Sequence, residues 1–300
     1  MFGIRQIGWQ LGTVSAVTAV AIFAPGSGGG STIWLSFPAA VATFVMIAVC
    51  TWKIRERREY VGRGAARPVQ AYADIWRNPH ARVLYTVHLI DTLGVASIAV
   101  LARYVTEYVF GGQKMFGSLF GFYFVSAVAL IPLWAVLARR FGTKPMWMFA
   151  MAMSGIGFGG FLFLREGDLL GMSILATILG IGTGCSQVMS PSIQADVIEY
   201  DEYLTGERKE GAYFAVATFL MKSAFGLMVV FAGFALDWVG YVPNVEQTED
   251  TKQALRLLFG GFPLAAYTLS FVIFWRYFHF TPSEHQRIRR ELDKRHEIAD

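Results

Sequence analysis

Lys222 stands alone among apolar residues. It follows Gly211 with no other charge between them, so at ~1.5 Å rise per residue it lies ~16 Å along a helix, near the middle of a ~30 Å hydrocarbon core. A cation at that depth is costly and marks a functional position by default. Its ammonium suits a sugar hydroxyl, a carboxylate, or the acids of a cation site. Thr218 precedes it by one turn on the same face. Asp91 is the second charge inside an apolar run, ~13 Å beyond Arg82 at the same rise. His88 shares its face. The two residues admit a proton relay, since imidazole titrates near neutrality. A pair between Asp91 and Lys222 is the alternative, because it lowers the cost of burying both. Gln187, Ser190 and Gln194 recur at near-helical spacing on another run and offer polar groups to a solute or a neighbouring helix.

A second constellation is dense and charged: Asp196, Glu199, Asp201, Glu202, Glu207, Arg208, Lys209 and Glu210. An unpaired charge in hydrocarbon costs roughly 2.5–3.5 kcal/mol on insertion scales, so this segment is a loop between spans. Acids at a helix end beside Arg208 and Lys209 are expected to form salt bridges rather than a metal site. Arg139 and Arg140 are either further partners, for carboxylates such as Asp196 or Glu202, or positive-inside anchors with no gating role. They lie in the tight basic turn Ala138–Pro145, where Gly142 permits the reversal. No Ser-His-Asp, His-Glu-x-x-His or Cys-x-x-Cys arrangement is present, so no catalysis and no cofactor are expected. Cys50 and Cys185 read as small buried hydrophobes. The run Gly26–Gly30 lacks the Lys-Ser/Thr of a phosphate loop and reads as a flexible turn.

The elements that must position these residues follow from composition. The chain is 54% hydrophobic and 16% charged, with a mean hydropathy of +0.44. That excludes a soluble domain and indicates a polytopic membrane protein. Long continuous runs, not alternating ones, indicate helices. Candidate spans are Ile7–Ala24, Ile33–Trp52, Val83–Val105, Leu119–Leu137, Met146–Leu164, Leu169–Ile193, Tyr213–Leu236 and Leu257–Phe278. Lys and Arg concentrate in alternate loops and in the C-terminal tail, which places both termini in the cytoplasm. Tyr104 and Tyr108, with Arg103 and Glu107, read as anchors at the outer membrane interface. Between Lys53 and Arg82, the piece Val69–Arg77 reads as a short surface helix that stops at Asn78-Pro79.

The segment Ala195-Asp196, Tyr200, Glu202, Thr205-Gly206, Arg208, Glu210-Gly211 and then Lys222 resembles the loop between the tenth and eleventh helices of the glycoside–pentoside–hexuronide:cation symporters, the melibiose-carrier branch of the major facilitator superfamily. The basic turn at Arg139-Arg140 is similar to the one that superfamily carries between the second and third helices of each half. The resemblance implies an all-α polytopic membrane protein of major facilitator type. Its eight transmembrane helices would correspond to helices five to twelve of a twelve-helix carrier, without the first four. Residues 1–58 would hold the last two helices of the N-terminal half and 59–82 the central cytoplasmic loop. The C-terminal six-helix half would span 83–280, and 281–300 would form the tail.

The implied function is symport of a sugar or glycoside-like solute with Na+ or H+ in a bacterial inner membrane. The partners would be that solute and the bilayer, with no nucleic acid. Lys222, Thr218, Gln187 and Asp91 are the expected solute-contacting residues. Arg139, Arg140, Asp196, Glu202 and Arg208 are the expected gate. Gln187 stands where melibiose carriers place a sugar-stacking tryptophan, which argues against a melibiose-like galactoside. The aspartates of the family's cation site belong to a helix outside this sequence. A lysolipid carrier, a truncated remnant and a non-transport membrane protein are the alternatives.

Overall fold

The computed structural model describes residues 30–53 and 68–299, all helix, turn or loop with no strand among them. The chain divides near Gly64 and Ala65 into two units. The first contributes one described helix, α1 (Gly30–Lys53). The expected span Ile7–Ala24 lies outside the described residues.

In the second unit each helix begins or ends where the chain's chemistry requires it. The short α2 (Pro68–Arg77) buries Ala71 and Ile75, one turn apart, and exposes Val69, Tyr72 and Trp76. Asn78 then caps α3 (Pro79–Tyr108): its side-chain oxygen accepts from the amides of His80 at 3.0 Å and Ala81 at 3.2 Å. Pro79 opens the helix at a position that has no amide bond to lose. The expected run Leu119–Leu137 is two helices, α4 (Gln113–Ala129) and α5 (Ile131–Phe141), bent by 50°. Pro132 lies in the first turn of α5, and proline cannot donate the bond that would carry α4 straight through. Gly142, at φ 88°, turns the chain into α6 (Thr143–Gly160).

Asp168 caps α7 (Leu169–Thr205), and Gly206 ends it in a left-handed conformation at φ 73°. At 37 residues α7 is ~55 Å long, which exceeds a ~30 Å hydrocarbon core, so its last turns carry their acids beyond the length of that core. Next comes α8 (Glu210–Trp238). The last expected span is continuous from Glu249 to Tyr277: α9 (Glu249–Arg256), a π turn at Leu257–Gly261, then α10 (Phe262–Tyr277). The tail forms α11 (Pro282–Ala299), which buries Ile288 and Leu292.

Helices α3, α4, α6, α7 and α10 pack around a common core. Trp147, Phe158, Phe259, Tyr267 and Phe274 are fully buried there. Trp147 meets Phe274 edge-on at 4.8 Å, and Phe158 stacks on Tyr267 at 5.8 Å. Small residues let the backbones approach: a Cβ at Gly182 would lie 2.8 Å from the Ala150 carbonyl. α8 differs from this core. Its apolar window is 11% buried, against 50% for α3. Its buried residues are Tyr213, Ala224, Met228 and Ala232, the last three at one-turn spacing, and most of its other residues are exposed. Among the described residues four helices are long and apolar enough to cross a membrane, or five if α4 and α5 form one broken span.

Candidate functional site: the exposed face of α8 and the charged clamp

One turn apart on α8, Thr218 and Lys222 are both exposed. With Gly211, Phe214, Ala215 and Ser223 they line an open concavity along the helix. Among the described residues no carboxylate lies within ion-pair distance of Lys222. Gln187 and Ser190 are half-buried on α7, and Gln194 is buried.

Asp91 is placed differently from the expectation. It is 7% exposed, inside the helix core. Its Oδ2 accepts from Ser186 Oγ of α7 at 3.2 Å, and Ser186 Oγ accepts from Trp147 Nε1 of α6 at 2.9 Å. The pair between Asp91 and Lys222 does not form: Asp91 turns into the bundle, whereas Lys222 points away from it. His88 lies against the backbone of Ala217 on α8. His88 and Asp91 therefore meet different neighbours.

At the end of the bundle where α7 meets α8 the charges form a clamp. The Lys209 side chain is fully buried, with its Nζ 2.9 Å from Asp74 of α2 and 3.4 Å from Asp201 of α7. Arg208 lies 3.3 Å from Glu202 and 2.6 Å from Glu210. Asn78 Nδ2 donates to the Tyr213 hydroxyl at 3.0 Å, and the Tyr85 hydroxyl donates to the Tyr213 carbonyl at 2.8 Å. The tail joins through His285 of α11, whose Nε2 lies 2.6 Å from Glu199 and 3.6 Å from Asp196. The hydrogen bond to Glu199 raises the His285 pKa above the ordinary imidazole value, and the charges of Asp196 and Glu199 add to it.

The expected pairing of Arg139 and Arg140 with Asp196 or Glu202 is absent. Both arginines are exposed in the last turn of α5, which buries only Ile131 and Trp134. Arg140 lies over the Phe141 ring at 5.5 Å. The acids are held instead by Arg208 and by His285. From this basic turn Lys144 reaches back to donate to the Phe278 carbonyl.

Sequence reasoning missed Asp74 and His285. Each lies in a polar segment whose neighbours in space are far away in the chain. The motif Asn78-Pro79 was visible as a helix stop, but it is also the cap of α3 and a strut to α8. On the opposite side of the bundle, Tyr104 and Tyr108 pack edge-on against Tyr241 at 5.5 Å, and Tyr108 Oη accepts from the Asn244 amide at 3.1 Å. They brace the loop that follows α8.

Long apolar helices packed around buried polar groups define an integral membrane protein. The family model for MFS/sugar transport protein matches residues 1–278, and the chain belongs to that family. It is similar to the glucuronide carrier protein homolog of Escherichia coli K12, with 25% identity over 86% of this chain and 56% of that one. Two further relatives from the same strain are similar. The one named "Putative 2,3-dihydroxypropane-1-sulfonate exporter" is 27% identical over 84% of this chain and 55% of its own. The one named "Putative sulfoquinovose importer" is 26% identical over 90% and 58%. The chain spans about half the length of the curated relatives it matches.

Proposed function

We propose that this chain works in cation-coupled transport of a small hydroxylated anion, a sugar acid or sulfonated sugar, and that α8 supplies its main contacts in the C-terminal unit. The observation that carries this reading is Lys222: exposed beside Thr218 on α8, with no carboxylate in reach among the described residues. An ammonium of this kind answers a carboxylate or sulfonate as a point charge. The Thr218 hydroxyl and the Gln187 amide answer sugar hydroxyls. The solutes in the three relatives' names each combine an acid group with several hydroxyls, which supports the same reading. The coupling cation is Na+ or H+. The clamp of Asp196, Glu202 and Arg208 is the cytoplasmic gate in this scheme, in a bacterial inner membrane with both termini inside.

The test is uptake of labelled D-glucuronate into proteoliposomes under an imposed Na+ or H+ gradient. Lys222→Gln removes one charge-assisted bond of about 2 kcal/mol, so affinity falls roughly 30-fold while Lys222→Arg keeps part of it. Equal uptake by Lys222→Gln, or equal competition by neutral glucose, defeats the proposal. Phe214 and Phe219 flank Lys222, and Phe219 is 70% exposed. That apolar border favours a lysolipid as the second reading, and competition by lysophosphatidylglycerol but not glucuronate would establish it.

A further inference from the structure

Five helices meet at Asp91. It rises from α3, and Ser186 of α7 and Trp147 of α6 form a hydrogen-bonded chain that ends on its Oδ2. Tyr123 of α4 and Tyr267 of α10 are the titratable groups that face it from the other helices. Tyr267 closes the site from one side, so tightly that a Cβ at Gly94 would come within 2.7 Å of its ring. On its own helix the nearest titratable residue is His88, which is turned to α8. Among the described residues no cation pairs with Asp91. Its Oδ1 is buried with no hydrogen-bond partner.

The direction of the hydrogen bonds says where a proton must be. Indole N–H only donates, so Ser186 accepts from Trp147. The Ser186 hydroxyl proton is then committed to Asp91 Oδ2. That leaves Oδ1 buried and without a donor. An ionised carboxylate with one neutral donor and no counter-charge, inside a membrane-spanning bundle, takes up a proton instead of remaining charged. A bound metal cation does not fit, since a hard cation gathers several oxygens and among the described residues only Ser186 bonds to this carboxylate.

We infer that Asp91 is a buried proton-binding site of the C-terminal bundle, with the acid proton on Oδ1. The site lies apart from the Lys222 face. Its use in coupling rests on the carrier reading above, but the protonation itself does not.

Infrared difference spectroscopy on the purified full chain tests it without any transport assay, so its failure is separate from failure of the carrier reading. The wild type is expected to show a carboxylic-acid carbonyl band at neutral pH. That band is absent in Asp91→Asn, shifted in Ser186→Ala, and unchanged when Na+ replaces K+. A spectrum without such a band, or a band that Asp91→Asn leaves intact, overturns the inference. So does a band that Na+ abolishes, which would mark a sodium site. If Asp91→Asn fails to fold, Ser186→Ala decides: an unshifted band counts against Asp91.

Discussion

Lys209 is the residue on which the charged clamp depends most. Its side chain is fully buried between Asp74 and Asp201, which belong to two different helices. Removing one member of a buried charge set leaves the others uncompensated, at a cost of about 3–5 kcal/mol. Lys209→Met is therefore expected to lower the thermal unfolding midpoint markedly, and Asp74→Asn in the same background to restore part of the loss. An unchanged midpoint in Lys209→Met would show that the buried cation does no structural work. At this scale the sequence was only partly legible. The shared face of Thr218 and Lys222 follows from helical spacing alone. The partners of Arg139, Arg140 and Asp91 do not, because each was set by which helix came to lie alongside. Arg208, near Glu202 in the chain, holds it at 3.3 Å, while Arg139 and Arg140 stay exposed.

Among the elements, α11 is held by chemistry that responds to pH. His285 binds Glu199 and Asp196 of α7, with Arg289 on its own helix opposing its charge. Its pKa in the folded protein is raised, so the stabilisation is fully present below the ordinary imidazole value of about 6.5 and is lost as pH rises through the raised value. Hydrogen exchange of α11 should therefore quicken as pH climbs through that window, after correction for the intrinsic rate. His285→Gln should abolish the dependence. A profile that stays the same in His285→Gln would remove His285 from the docking. The positions of the spans were legible from apolar length, but their ends were not: α7 runs through Thr205, beyond the expected end at Ile193, so Asp196, Glu199, Asp201 and Glu202 lie on a helix and not in a loop. The break between α4 and α5, and the π turn ahead of α10, were not legible either. Both occur inside apolar stretches, where hydropathy has nothing to register. Pro132 was a visible warning, but its effect depends on what packs beside the bend.

For the molecule as a whole, the positive-inside pattern remains the argument for orientation. Ser283 at the start of α11 is exposed, which makes it a convenient reporter. In a background with Cys50 and Cys185 replaced by serine, Ser283→Cys should react with a membrane-impermeant maleimide in inside-out vesicles and stay protected in right-side-out ones. The reverse pattern would invert the topology. Fold class was legible in the composition, and the family in a short charged motif, since both are properties of the chain rather than of its packing. Which polar groups face a solute and which face the core was not, because an apolar run does not say which of its sides is wet.

One helix joins the centre of the bundle to the clamp. Ser186, which donates to Asp91, and Glu199, which holds His285, both belong to α7 and lie ~20 Å apart along it at 1.5 Å per residue. Pro191 stands between them and lacks the N–H that would close that turn. α7 is thus one continuous rod from the buried acid to the tail, and its backbone ladder is weakest at Pro191.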